Sequence, residues 1–295
     1  MNFNNILQEI AKTDPEVYEK ISGRRDVLRS FGSKVALAAL PIALGSMFKK
    51  AYGKTTATVL DTLQFALQLE YFEFNYYHTA NNTGSNSTNT LVPANDRVGF
   101  KLVEDQERAH INFLRTTIDS MGAVPFTPNN YSGNALTGNP YSPASYDFTA
   151  NGAYNVFANY ASFLDLAIAF EDTGIRAYQG QLPNLLDSTD IMTEVLQLSA
   201  VEGRHAAFAR TVRRYYNGGT PGYNYGMKPW ITTNFPPTTA LQPNYLGEDN
   251  TIQKGVDITS LTGYNGNITA ANASEAYDEA LDKPTVTQLI APFLL

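Results

Sequence analysis

Two of the chain's three histidines stand three residues after a glutamate, in Glu107-Arg108-Ala109-His110 and in Glu202-Gly203-Arg204-His205. On a helix, residues i and i+3 project about 60° apart within one turn, so both side chains of each tetrad reach a single ion. Both tetrads lie inside helical apolar periodicity. Phe100, Val103, Glu107, His110, Ile111 and Leu114 share one stripe; Val195, Leu198, Glu202, His205, Ala206 and Ala209 share another. Each tetrad follows a further stripe that holds a lone glutamate. Glu70 falls with Leu63, Ala66, Leu67, Phe74 and Tyr77, and Glu171 with Leu164, Ala167, Ile168, Ile175 and Tyr178. At this composition two of three histidines acquire such a glutamate by chance roughly once in two hundred sequences. Carboxylates buried among Leu, Ile and Ala are costly unless paired or bound to metal. Four in one core repel one another strongly, and two divalent or trivalent ions offset that charge.

The periodicity predicts four helices, over about Thr56–Thr79, Ala94–Met121, Ala153–Gln179 and Ser188–Tyr216. Residues 81–89 form a short polar link. Residues 123–150, rich in Pro, Asn, Gly, Ser and Tyr, form a long irregular one. Asn217-Gly218-Gly219 and Pro221 stop the last helix. Short, long and short links in that order give an all-α four-helix bundle in which one long crossover joins two antiparallel pairs. From Asn217 the composition turns to Tyr, Asn, Pro, Gly and Thr, and residues 217–295 are expected to pack on the bundle as an extension. Within it Ser274–Ala280 and Thr285–Leu294 are expected to be short helices.

Composition narrows the chemistry. The absence of cysteine removes disulfides, thiolate catalysis, iron–sulfur clusters and thiolate zinc sites, so carboxylate and imidazole must hold any metal. A net charge of −7 without basic clusters beyond the N-terminal region argues against nucleic acid as the main partner.

The paired Glu-x-x-His motifs, with Leu63–Glu73 on the first helix, resemble the ferritin-like di-iron carboxylate superfamily. Residues 58–216 carry that likeness. Ser274–Leu295 more loosely resembles the end of the exported, desiccation-related bacterial members. The resemblance implies that Glu107 and Glu202 bridge two metals, Glu70 and Glu171 are terminal ligands, and His110 and His205 each bind one metal. No catalytic residue beyond these ligands is implied. It further implies two iron ions, or alternatively two manganese ions, acting on dioxygen or hydrogen peroxide. A chain whose metals only brace the bundle, serving a stress or structural role, is the third reading. Self-association as a homo-oligomer is compatible with all three.

Other residues carry blander readings. Glu73, Glu104, Asp105 and Asp172 lie beside the chosen ligands and are more often outer partners or solvated helix-face groups. His78 is expected to cap a helix end, Tyr77 and Tyr178 to pack in the core, and Arg108 and Arg204 to be solvated or salt-bridged. In residues 1–55, Gly23-Arg24-Arg25-Asp26-Val27-Leu28-Arg29 resembles a twin-arginine export signal followed by the apolar run Val35–Phe48. That run of fourteen residues is short of the about 20 a membrane span needs. It implies an exported, periplasmic protein with no membrane span in the mature chain.

Overall fold

A computed structural model of the chain describes residues 56–82, 91–217, 220–221, 227–234 and 236–295. The twin-arginine pattern at Arg24-Arg25 and the run Val35–Phe48 lie outside the described residues. Four long helices, α1 (Thr56–Asn81), α2 (Ala94–Ser120), α3 (Tyr160–Gln181) and α4 (Thr189–Tyr215), pack as two intimate pairs, α1 with α2 and α3 with α4. Between the pairs, α1 meets α3 and α2 meets α4. The long segment between α2 and α3 is the single crossover, as the spacing predicted. No helix among the described residues is long and apolar enough to cross a membrane.

The third helix begins seven residues later than its apolar pattern suggested. Residues 153–159 instead form turns and irregular backbone. Helix α3 starts after Asn159, whose side chain accepts a hydrogen bond from the Ser162 amide at 3.0 Å. The apolar residues before it still reach the core without helical backbone: Val156 is fully buried and Phe157 packs against the same cluster.

That core is dense in aromatic rings. Phe72 meets Phe170 at 4.7 Å, Phe148 at 5.1 Å and Phe293 at 6.0 Å, all edge-on, the arrangement that ring quadrupoles favour. Phe293 comes from the far end of the extension, so the chain terminus helps to close the α1/α3 side of the bundle. The terminus is fixed by backbone pairing with the crossover: Asp147 N–H donates to Phe293 O at 2.9 Å and Leu295 N–H to Ser145 O at 3.0 Å.

The extension is anchored chiefly on α3. Arg176, almost fully buried, donates to the carbonyls of Glu279 at 2.6 Å, Leu246 at 2.8 Å and Asn244, and pairs with Glu248 at 2.7 Å. One turn on, a Cβ at Gly180 would run into the Leu281 carbonyl oxygen, so only glycine permits that approach. The extension's helices differ from those expected. The first, α5, is Ala270–Ser274, capped by Thr269, and it ends where Ser274–Ala280 was expected to begin. The second, α6, is Lys283–Ile290, capped by Asp282 and continued by a 3-10 turn, Ala291–Phe293. In both cases a Thr or Asp side chain accepting a backbone N–H sets the start, a signal stronger than apolar content in so short a segment.

Candidate metal centre

All six residues expected at the site converge in the middle of the bundle. Their ligand atoms form two clusters, Glu70, Glu107, His110 and Glu202, and Glu107, Glu171, Glu202 and His205. Within each, one atom per residue lies within 4.8 Å of the others. The four glutamates are fully buried, and His110 and His205 are 7% and 3% exposed. Glu107 and Glu202 belong to both clusters, because each occupies the first position of a Glu-x-x-His tetrad on facing turns of α2 and α4. Glu70 and Glu171, from α1 and α3, sit at opposite ends.

Each histidine turns Nδ1 into its cluster. Nδ1 of His110 is 3.0 Å from Glu70, 3.0 Å from Glu202 and 3.3 Å from Glu107. Nδ1 of His205 is 2.7 Å from Glu107, 3.4 Å from Glu202 and 3.5 Å from Glu171. These approaches are close, yet both oxygens of Glu107 and Glu202, and Nδ1 of His205, take part in no directed hydrogen bond. Buried polar atoms are ordinarily satisfied. Lone pairs that converge on a common point and miss one another's protons suit a cation at that point.

The outer groups show how the clustered side chains are held. The Tyr77 hydroxyl on α1 donates to Glu171 Oε1 on α3 at 2.5 Å. Reciprocally, the Tyr178 hydroxyl on α3 donates to Glu70 Oε1 on α1. Each tyrosine follows its own helix's glutamate by seven residues and serves the glutamate opposite. Expected to pack in the core, they also orient the carboxylates of Glu171 and Glu70. The seven-residue Glu-to-Tyr spacing, present in both α1 and α3, is the sequence signal that could have shown it. Nε2 of His205 lies 2.7 Å from Gln106 Oε1; donation of the Nε2 proton there leaves Nδ1 as the free donor atom. Gln106 carries no sequence signal at all.

Electrostatics express the crowding of charge. Burial, opposed by His110 and reinforced by Glu202, pushes Glu70 up to about 8. Burial likewise holds Glu171 well above the usual carboxylate range against the pull of His205. Glu202 is also subject to burial, but the close imidazoles of His110 and His205 outweigh it and hold its carboxyl below the ordinary range. Burial disfavours the charged imidazoles, yet Glu70 acting on His110, and Glu171 and Glu107 acting on His205, raise both.

The neighbouring carboxylates divide. Glu73 is buried beside the clusters without belonging to either. Glu104 is buried elsewhere, held to about 2 because hydrogen bonds from His78, Lys101 and Asn81 overcome its burial. His78, in the last turn of α1, serves that pairing at 2.7 Å while stacked on Phe74. Asp172 faces away from the site, where Arg210 and Tyr245 engage it at 2.8 Å and 2.6 Å. Asp105 and Arg204 are exposed. Arg108 lies over the Phe74 ring, 3.7 Å from Glu104.

A four-helix bundle with one long crossover and paired Glu-x-x-His tetrads converging on its axis defines a ferritin-like architecture. Residues 58–214 match the family model of the ferritin-like domain, and the chain belongs to that family. No curated protein matches the chain. Four carboxylates and two imidazole nitrogens are a donor set suited to iron or manganese, and the buried clusters are compatible with a pair of such ions.

Proposed function

We propose that the protein is a redox-active di-metal carboxylate protein that binds a pair of iron ions and acts on dioxygen or hydrogen peroxide. The observation that carries this reading is the sharing of Glu107 and Glu202 between two otherwise separate four-residue clusters. Shared carboxylates make two adjacent positions and not two independent ones.

When bound, an iron pair supplies one-electron changes at each of two neighbouring ions, which together match the two electrons that peroxide reduction requires. The chain's own part is geometric. Glu107 and Glu202 would serve both positions, Glu70 with His110 would complete one, and Glu171 with His205 would complete the other. Tyr77 and Tyr178 hold one oxygen each of Glu171 and Glu70, and the second oxygen of each, that of Glu70 shared with His110, would face an ion. Gln106 fixes the His205 ring. Full burial of the glutamates excludes water and strengthens every charge interaction in the chamber. The Arg24-Arg25 pattern supports export of the folded, loaded chain to the periplasm.

Metal analysis of protein purified from its native compartment, joined to Fe(II)-oxidation and peroxide assays, tests the reading. Two irons per chain with Fe(II) oxidation or peroxide consumption support it. Two manganese ions with oxygen release from peroxide identify a dismutating manganese pair instead. Two ions with neither activity leave them the role of bracing the bundle.

A further inference from the structure

Glu73 is a fifth carboxylate in the chamber that neither cluster uses. It lies one turn beyond Glu70 on α1, is only 3% exposed, and its Oε2 has no hydrogen-bond partner. Burial, then Glu202, Glu171, Glu107 and Glu70 in turn, disfavour its charge. No cation among the described residues pairs with it. Arg176 is committed to Glu248 and three carbonyls, and Arg210 to Asp172. Its outer side meets a cavity of about 10 Å³ under the extension, room for about one water. There the Asn244 amide already donates to Thr173.

Room for this carboxylate comes from Gly174, in the interior of α3. A Cβ at that position would lie 2.8 Å from Glu73 Oε1. A mid-helix glycine is less favourable than alanine, so α3 gives up local stability where Glu73 needs space. The two histidines come from α2 and α4, whereas Glu73 and Gly174 come from α1 and α3. Cations in the chamber would oppose the influences that disfavour its charge and hold Glu73 as a carboxylate.

We infer that Glu73 is a charge-compensating residue of the metal chamber, seated against Gly174, and that it favours the trivalent state of the bound pair over the divalent state. The inference rests on the di-metal reading above. The four carboxylates of the clusters balance two divalent ions. Oxidation of each ion by one electron, passed to dioxygen or peroxide, adds two positive charges to a site closed to water. The carboxylate of Glu73 offsets one of them, and in a low-dielectric interior such an interaction is large.

The test is a mediator-coupled spectroelectrochemical titration of the iron-loaded full chain carrying Glu73→Gln, which keeps shape and removes charge. Two ions should still bind, and the midpoint potential should rise by at least the 59 mV that corresponds to a tenfold change in a one-electron equilibrium. Gly174→Ala, which displaces the carboxylate while keeping it in the chain, should shift the potential in the same direction. An unchanged potential with both ions bound overturns the inference. Loss of an ion in Glu73→Gln also overturns it, because Glu73 is then an ordinary ligand. Where Glu73→Gln fails to fold, Gly174→Ala decides alone by the same criterion. A wild-type chain that binds no pair defeats the di-metal reading itself, a failure distinct from a silent Glu73.

Discussion

Removing the metals should make the protein's stability depend strongly on pH, in the direction opposite to ordinary acid denaturation. Burial pushes the Glu70 carboxyl up to about 8, against an ordinary value of about 4.3. Between those values the folded chain binds more protons than the unfolded chain, so stability falls as pH rises through the window. For Glu70 alone, moving from pH 7.5 to pH 5 should stabilise the metal-free fold by about 3 kcal/mol, at about 1.4 kcal/mol per unit of pH. Glu171 and Glu73, both raised chiefly by burial, act with the same sign. So do His110 and His205, whose raised values add stability that is full below about 6.5 and lost as pH rises toward their folded values. Glu202, held low by the histidines despite its burial, opposes only below the ordinary carboxylate range. In a bundle this size, about 3 kcal/mol corresponds to roughly 6–12 °C in Tm. Calorimetric melts of stripped and loaded protein between pH 7.5 and pH 5 read the effect. The stripped protein should melt higher at pH 5 than at pH 7.5, and the loaded protein, its carboxylates engaged, should show little change. A stripped protein that melts lower at pH 5, or one that matches the loaded protein throughout, refutes the reasoning.

Other outcomes follow from the same contacts. Tyr178→Phe and Tyr77→Phe each remove a buried hydrogen bond to a terminal carboxylate, and should weaken metal binding about 10–100-fold in competition with a chelator. Gln106→Leu takes the acceptor from His205 and should weaken binding by a similar factor, with the loss confined to the position His205 serves. Arg176→Met strands the buried Glu248 carboxylate and three carbonyls. It should cost about 3–5 kcal/mol, seen as a lower Tm and faster proteolysis within residues 236–295.

The six clustered residues were legible in the sequence because the 3.6-residue period places glutamate and histidine on apolar stripes where solvation cannot explain them. Helix ends depended on finer signals. The α3 start turns on the Asn159 cap, which apolar spacing masks. The start of α5 turns on the Thr269 cap. Contacts between elements distant in the chain were not legible. Nothing near Gln106 indicates that it faces His205, and nothing near Gly180 indicates that the Leu281 carbonyl lies on it. The Tyr77–Glu171 and Tyr178–Glu70 exchange has a local trace in the seven-residue spacing, but the crossing of partners emerges only once α1 and α3 are side by side.

The most direct test of the account is anomalous diffraction from crystals of the metal-loaded protein. Two peaks are predicted, roughly 3.5–4 Å apart as in two-metal sites generally. One should lie among Glu70, Glu107, His110 and Glu202, and the other among Glu107, Glu171, Glu202 and His205. A single peak, or metal bound only outside this chamber, would contradict the shared-carboxylate site on which the account depends.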